Sequence, residues 1–142
     1  MLIGVHPLLG PDLLHGLHTM GHGDEIVIAD ANFPTSFLGP EVIRADGIRG
    51  EALLEAILSH FPLDPYGDCA AWRMQVVEDP GVTPPICKSY QKIVTKYAGA
   101  FPIKPLERFA FYARAATASY IVATGETAIY ANIILKKGVV KS

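Results

Sequence analysis

The chain has 142 residues, half of them apolar and 18% charged, which is enough for one domain with its own core and far from the composition of a disordered chain. Its formal charge is −2 and Lys and Arg concentrate nowhere beyond the pair Lys136–Lys137, so a nucleic-acid partner is disfavoured. No run approaches the roughly 20 apolar residues of a membrane span, and no basic lead precedes an apolar stretch at the N-terminus, so the expectation is a cytosolic protein with no membrane partner.

Taken in chain order, residues 11–20 place Leu13, Leu14, Leu17 and Met20 on one helical face, with Pro11 suited to the first turn and Gly21 to the stop. Residues 25–30 (EIVIAD) read as a short buried strand, and 41–45 (EVIRA) as another. Between them, 31–40 is a turn-rich loop carrying Phe33, Phe37 and Leu38, which must pack back on its own domain or meet a neighbour. Residues 51–61 repeat helical spacing through Leu53, Leu54, Ile57, Leu58 and Phe61; 72–77 reads as a strand; 86–98 as a helix after Pro84–Pro85. After Pro105, residues 106–118 read as a helix rich in Ala and Arg, followed by strands at 119–124 and 130–136. Strands and helices in alternation predict a layered α/β domain over 1–142, with helices covering a sheet.

Gly21-His22-Gly23-Asp24 sits where a helix ends and a strand is about to begin. Flanking glycines give His22 little local packing, and the negative end of the helix favours its cationic form, with Asp24 and Asp30 close in sequence. Such an imidazole can act as an acid near neutrality; it can equally be a C-capping residue that satisfies a helix carbonyl. His15, His18 and His22 follow at i, i+3 and i+7, but no carboxylate or cysteine completes a ligand set, so no metal is expected. Cys69 and Cys87 lack metal-site spacing and read as free thiols in a reducing compartment.

Asp30 closes its strand. A carboxylate there suits sugar hydroxyls, since it accepts two hydrogen bonds at once, and equally suits a cap for the following turn. Arg108 and Arg114 are six apart and do not share a helix face; Arg108 is the one near the helix start, a rigid fork of donors or simply a solvated surface group. Tyr130 and Asn132 have the period-2 spacing of a strand, which sends both side chains to one face, either as a hydroxyl-binding pair or as rim residues.

Together GHGDEIVIADANFP, GPEVIRADG, ERFAFYARA, the TGE turn and YANIILKKGV resemble the fucose mutarotase and ribose pyranase family (RbsD/FucU-like), from about residue 8 to residue 139 and in the same order. RFAFYxRA and IRADG are similar to the fucose branch, whereas 62–104, with Trp72 and Pro84–Pro85, departs from the pattern. The resemblance implies a single-domain α/β sandwich with a mixed sheet covered by helices. It implies His22 as proton donor, and Asp30, Arg108, Tyr130 and Asn132 as sugar-binding residues. It also implies a homo-oligomer with its sites between subunits, the Y-x-N segment often coming from a neighbour.

The implied activity is interconversion of the α and β anomers of a monosaccharide, most readily L-fucose, by opening and closing the ring. No cofactor is needed, because nothing is oxidised and no carbon skeleton moves. Three other readings stand beside it: a non-catalytic monosaccharide-binding protein that uses the same pocket, a structural or regulatory subunit of a sugar transport system in which the loop 31–40 docks a partner, and a ribose pyranase.

Overall fold

In the computed structural model, which describes residues 1–142, the chain runs α1 (Pro11–Thr19), β1 (Glu25–Ala29), β2 (Glu41–Ala45), α2 (Gly50–Leu58), β3 (Ala71–Met74), α3 (Pro85–Ala98), β4 (Lys104–Leu106), α4 (Arg108–Ala115), β5 (Tyr120–Thr124) and β6 (Ile133–Lys136). The strands form one sheet in the order β2-β5-β1-β6-β3-β4. β2, β5 and β1 are parallel, β6 is antiparallel to both β1 and β3, and β4 is parallel to β3. The expected mixed sheet covered by helices is therefore the fold.

β1 lies inside the sheet, and Ile26 to Ala29 have no solvent exposure. Strands covered on both faces read as continuous apolar runs rather than alternating ones. Alternation then divides the strand between two cores. Ile26 and Ile28 join the larger core beneath α1, α2 and α3, while Val27 and Ala29 join the smaller one beneath α4. Phe33 packs back into that smaller core against Phe111 and Tyr112, and Leu38 rests on it, but Phe37 stays exposed. No helix is long and apolar enough to cross a membrane.

Several element boundaries differ from expectation, each for a visible reason. α4 starts at Arg108 rather than 106, because Glu107 caps it by accepting the N–H groups of Phe109 and Ala110 at 2.9 and 3.1 Å. The three residues before that cap pair with β3 as the short strand β4, which periodicity cannot reveal at such length. α4 also ends earlier, at Ala115, and Ser119 N–H then reaches the Glu25 carbonyl. α2 stops at Leu58, although Phe61 still reaches the core. β3 stops at Met74 instead of running to Val77: after Gln75 N–H bonds the Leu106 carbonyl, the chain swings out of the sheet.

The most consequential difference lies at β6, which begins at Ile133 and not at Tyr130. Tyr130 has φ of +62°, the left-handed region, so it cannot continue a strand. Asn132 side-chain Oδ1 accepts Asp30 N–H at 2.7 Å, just beyond the last ladder pair of β1 and β6, Ile28 with Ile133. The turn before it needs Gly125, because a Cβ there would stand 2.1 Å from the Asp46 carbonyl oxygen.

Candidate active site

At the C-terminal end of β1, Asp30 and Asn132 grip each other. Asp30 N–H donates to Asn132 Oδ1, Asn132 Nδ2 donates to Asp30 Oδ2 at 2.9 Å, and Asn32 N–H donates to Asp30 Oδ1 at 2.9 Å. Burial pushes the Asp30 carboxyl above its ordinary value of 3.8, and these bonds, led by that of Asn32, offset part of the rise. Asp30 and Asn132 border an open cleft of about 320 Å³ whose other walls include Asn32, Phe33, Tyr112 and Tyr130. Apolar rings beside a few convergent polar groups are the chemistry that a site for a small polar molecule requires.

Behind the cleft stands Glu126, almost wholly buried, at the centre of a scaffold. Its carboxylate accepts Gly50 N–H at the start of α2 and Ala128 N–H in its own turn, and pairs with Arg49 at 2.9 Å. Its carbonyl accepts Ala31 N–H, directly after Asp30. Burial acts to raise its pKa, but the Ala128 and Gly50 amides and the Arg49 charge outweigh it and hold the carboxyl below its ordinary value of 4.5. Thr124 completes the arrangement, donating to the Ala29 carbonyl and accepting Glu126 N–H. TGE is thus a joint that ties β5, α2 and the Asp30 loop together.

The other end of β1 carries His22. Its side chain is 48% exposed, and Nε2 stands 3.2 Å from Asp64 Oδ1. Asp64 itself is buried and is shared with Lys136, whose Nζ lies 3.4 Å from Oδ2. Tyr66 N–H, above all, holds the Asp64 carboxyl below its ordinary range; burial acts the other way, and His22 and Lys136 add to the lowering. The Tyr66 ring meets the imidazole edge-on at 5.7 Å. Asp24 does not touch the imidazole: its Oδ2 accepts Gly21 N–H at 2.7 Å and closes the turn. Lys137 caps the carbonyls of Leu17 and Met20, so α1 ends at Thr19 with Met20 as its cap rather than on Gly21.

Of the residues singled out in the sequence, the structure brings Asp30, Tyr130 and Asn132 to one cleft. Tyr130 and Asn132 share it through a left-handed turn and a side-chain bond, not through strand alternation. His22 is at the opposite end of the sheet in the same chain. Arg108 opens α4 one turn before Tyr112, so it lies on the same helix face, but its exposed guanidinium rests over the Phe109 ring and does not line the cleft. Arg114 instead clamps α4 to β1 through two bonds to Glu25, at 2.7 and 2.9 Å, while stacking on Trp72.

Three residues at these two ends escaped sequence reasoning. Asp64 lies 42 positions from His22, and the motif Leu63-Asp64-Pro65-Tyr66 reads locally as a turn. Tyr112 was hidden among the aromatics of a helix, and Glu126 in a turn. A buried-carboxylate signal does not exist in sequence; only the fold reveals it.

The fold is a three-layer α/β sandwich with polar groups gathered at both ends of one inner strand. Residues 3–140 match the RbsD / FucU transport protein family, and the chain belongs to it. It is 50% identical over 145 residues to the fucose mutarotase of Danio rerio, covering 99% of this chain and 95% of that protein. It is 46% identical over 140 residues to the L-fucose mutarotase of Histophilus somni, covering 98% and 97%. The crystal structure of the fucose mutarotase from Streptococcus pneumoniae in complex with L-fucose superposes with a TM-score of 0.91 at 44% identity, covering 99% of this chain and all of that one. The similarity to the fucose branch expected from the motifs is borne out.

Proposed function

We propose that this protein is an L-fucose mutarotase that interconverts the α and β anomers by acid–base ring opening, at sites built between two copies of the chain. The observation that carries the activity is similarity along the whole chain to a fucose mutarotase crystallised with L-fucose. What favours a shared site is the separation of His22 from the Asp30 cleft, since a monosaccharide cannot touch both within one chain. Phe37, Phe109 and Ile129 are 87%, 66% and 69% exposed, and Ile129 lines the cleft itself, so apolar surface is on hand for a neighbour to cover. A head-to-tail contact of this kind, in which one surface meets a different one, closes into a ring when the rotation permits.

In this reading His22 delivers a proton to the ring oxygen as the bond from that oxygen to the anomeric carbon breaks. The anomeric hydroxyl loses its proton and becomes the aldehyde oxygen. The aldehyde turns about its bond to the next carbon and the ring recloses on its other face, with the proton transfers reversed. Asp64 orients the imidazole through its 3.2 Å contact with Nε2. Asp30 and Asn132 take sugar hydroxyls with the polar capacity their mutual bonds leave free, and Tyr130 adds its phenol. Arg108 reaches the sugar by leaving the Phe109 ring, a swing that an exposed side chain makes at little cost. Water, Asp30 or Tyr130 receives the anomeric proton. A positioned acid contributes about 10²–10⁴-fold in rate, and no cofactor enters the scheme. The reading includes a cytosolic location, where Cys69 and Cys87 stay unpaired as they are here.

Saturation transfer between the anomeric proton resonances of L-fucose tests this directly, with D-ribose as the competing sugar. Accelerated exchange for fucose that collapses in His22→Ala establishes the activity and its acid. Binding without acceleration for either sugar overturns it in favour of a sugar-binding protein, and preference for ribose moves it to the pyranase.

A further inference from the structure

Tyr130 occupies a backbone conformation that side chains other than glycine rarely adopt, with φ of +62°, and such residues persist only when their surroundings hold them. Two hydrogen bonds of 3.4 Å steady the backbone here: Cys87 Sγ–H donates to the Tyr130 carbonyl and Tyr90 O–H to the Ala131 carbonyl. The far end of the ring is held differently. Val77 N–H donates to the Tyr130 hydroxyl oxygen at 3.2 Å.

Val77 belongs to no strand or helix, and it is 48% exposed. It lies in the excursion 75–84 between β3 and α3, whose one internal backbone bond runs from Val82 N–H to the Asp79 carbonyl. Such a segment does not fix an amide by itself. Arg73 stands beneath it, 7% exposed, with no carboxylate in ion-pair range. Its guanidinium donates instead to the carbonyl of Met74, the β3 residue from which the excursion departs, at 3.4 Å, and to Thr83 Oγ1, near the excursion's far end, at 3.3 Å. A buried cation without a counter-charge is expensive, and an apolar side chain would fill the same volume at less cost. The planar fork is what lets a single side chain join both ends.

We propose that Arg73 is a positioning residue that, by tying the two ends of the excursion 75–84, holds the Val77 amide against the Tyr130 hydroxyl and so aims that hydroxyl at the sugar. The inference rests on the mutarotase reading for its kinetic consequence. Because the Val77 N–H occupies one side of the phenol oxygen, the phenolic proton is directed elsewhere, into the cleft, and accepting a bond makes that O–H a stronger donor.

The test is a double-mutant cycle on fucose anomer exchange measured at increasing fucose concentration. Thr83→Val keeps the shape of a half-buried side chain and removes the acceptor of Arg73. It is expected to raise KM about two- to tenfold, the worth of one hydrogen bond, with kcat little changed. In a Tyr130→Phe background the same change is expected to add nothing. Arg73→Lys should retain more of the wild-type KM than Arg73→Met. Equal effects of Thr83→Val with and without the phenol, or no effect in either, would overturn the inference. Amide hydrogen exchange at Val77 reads the same link without any catalysis: protection in the wild type that is lost in both Thr83→Val and Tyr130→Phe supports it, and an unprotected Val77 in the wild type refutes it. Absence of fucose exchange in the wild type would instead count against the mutarotase reading and leave the exchange measurement to decide the role of Arg73.

Discussion

His22 and Asp30 stand at opposite ends of the same strand, one before β1 and one just after it. Five strand residues at about 3.3 Å each put roughly 16 Å between them, more than one sugar ring spans. If both act on one sugar, they come from different copies of the chain.

Complementation follows from that separation. His22→Ala and Asp30→Ala are each expected to abolish mutarotation when expressed alone. Co-expressed in equal amounts, they should recover about one functional site in four, because a random head-to-tail assembly joins an intact His22 to an intact Asp30 that often. The check is fucose exchange by the co-purified oligomer. No recovery from a well-mixed assembly would mean that each chain works with its own two residues, and activity in either variant alone would mean that its residue is not needed.

Asp64 is buried, yet its main exposed partner is the imidazole of His22. Replacing it with Asn removes the charged acceptor that orients the imidazole while leaving an oxygen for Tyr66 N–H. Mutarotation is expected to fall about 10–100-fold, the worth of a hydrogen bond to a charged group, with the fold intact by circular dichroism. Unchanged exchange rates would remove Asp64 from the mechanism.

Glu126 sets a pH dependence of stability whose sign is fixed by its environment. Its folded pKa lies below the ordinary 4.5, so the stability it contributes is fully present above that value and is lost as pH falls through the lowered one. Glu126→Gln, which turns an N–H toward donors that need an acceptor, should cost about 1.5–3 kcal/mol at pH 7 in urea unfolding. It should also flatten the decline on acidification. Parallel decline of variant and wild type would assign the acid sensitivity elsewhere.

Asp30 behaves in the opposite sense, because burial raises its pKa above 3.8. If its ionised form receives the sugar, fucose affinity should weaken on acidification with a midpoint above 3.8. Titration calorimetry across that range, using His22→Ala so that catalysis does not interfere, measures it. An affinity that stays flat until the fold itself fails would show that Asp30 serves the neighbouring backbone and not the sugar.

The alternation of strands and helices, and the apolar runs that mark β1, β5 and the core faces of α1 and α2, were legible in the chain because burial against a sheet leaves a periodic trace. So were Asp30, Tyr130 and Asn132 as polar residues beside such runs. The motifs around them carried the family. Short β4 leaves no trace, since three residues hold no period, and β3 and β6 are shorter than their apolar patterns because side chains and a left-handed turn take over the hydrogen bonds there.

What the sequence determined by itself was local: which segments bury a face, where turns fall, and which side chains have chemistry to offer. Only the tertiary structure decided that Asp64, not Asp24, faces His22, that Glu126 is a buried joint, that Arg108 leaves the cleft and Tyr112 enters it, and that His22 and Asp30 part company within one chain. Those are relations between residues distant in sequence. They arise from the crossing of strands in the order β2-β5-β1-β6-β3-β4, which no local period records.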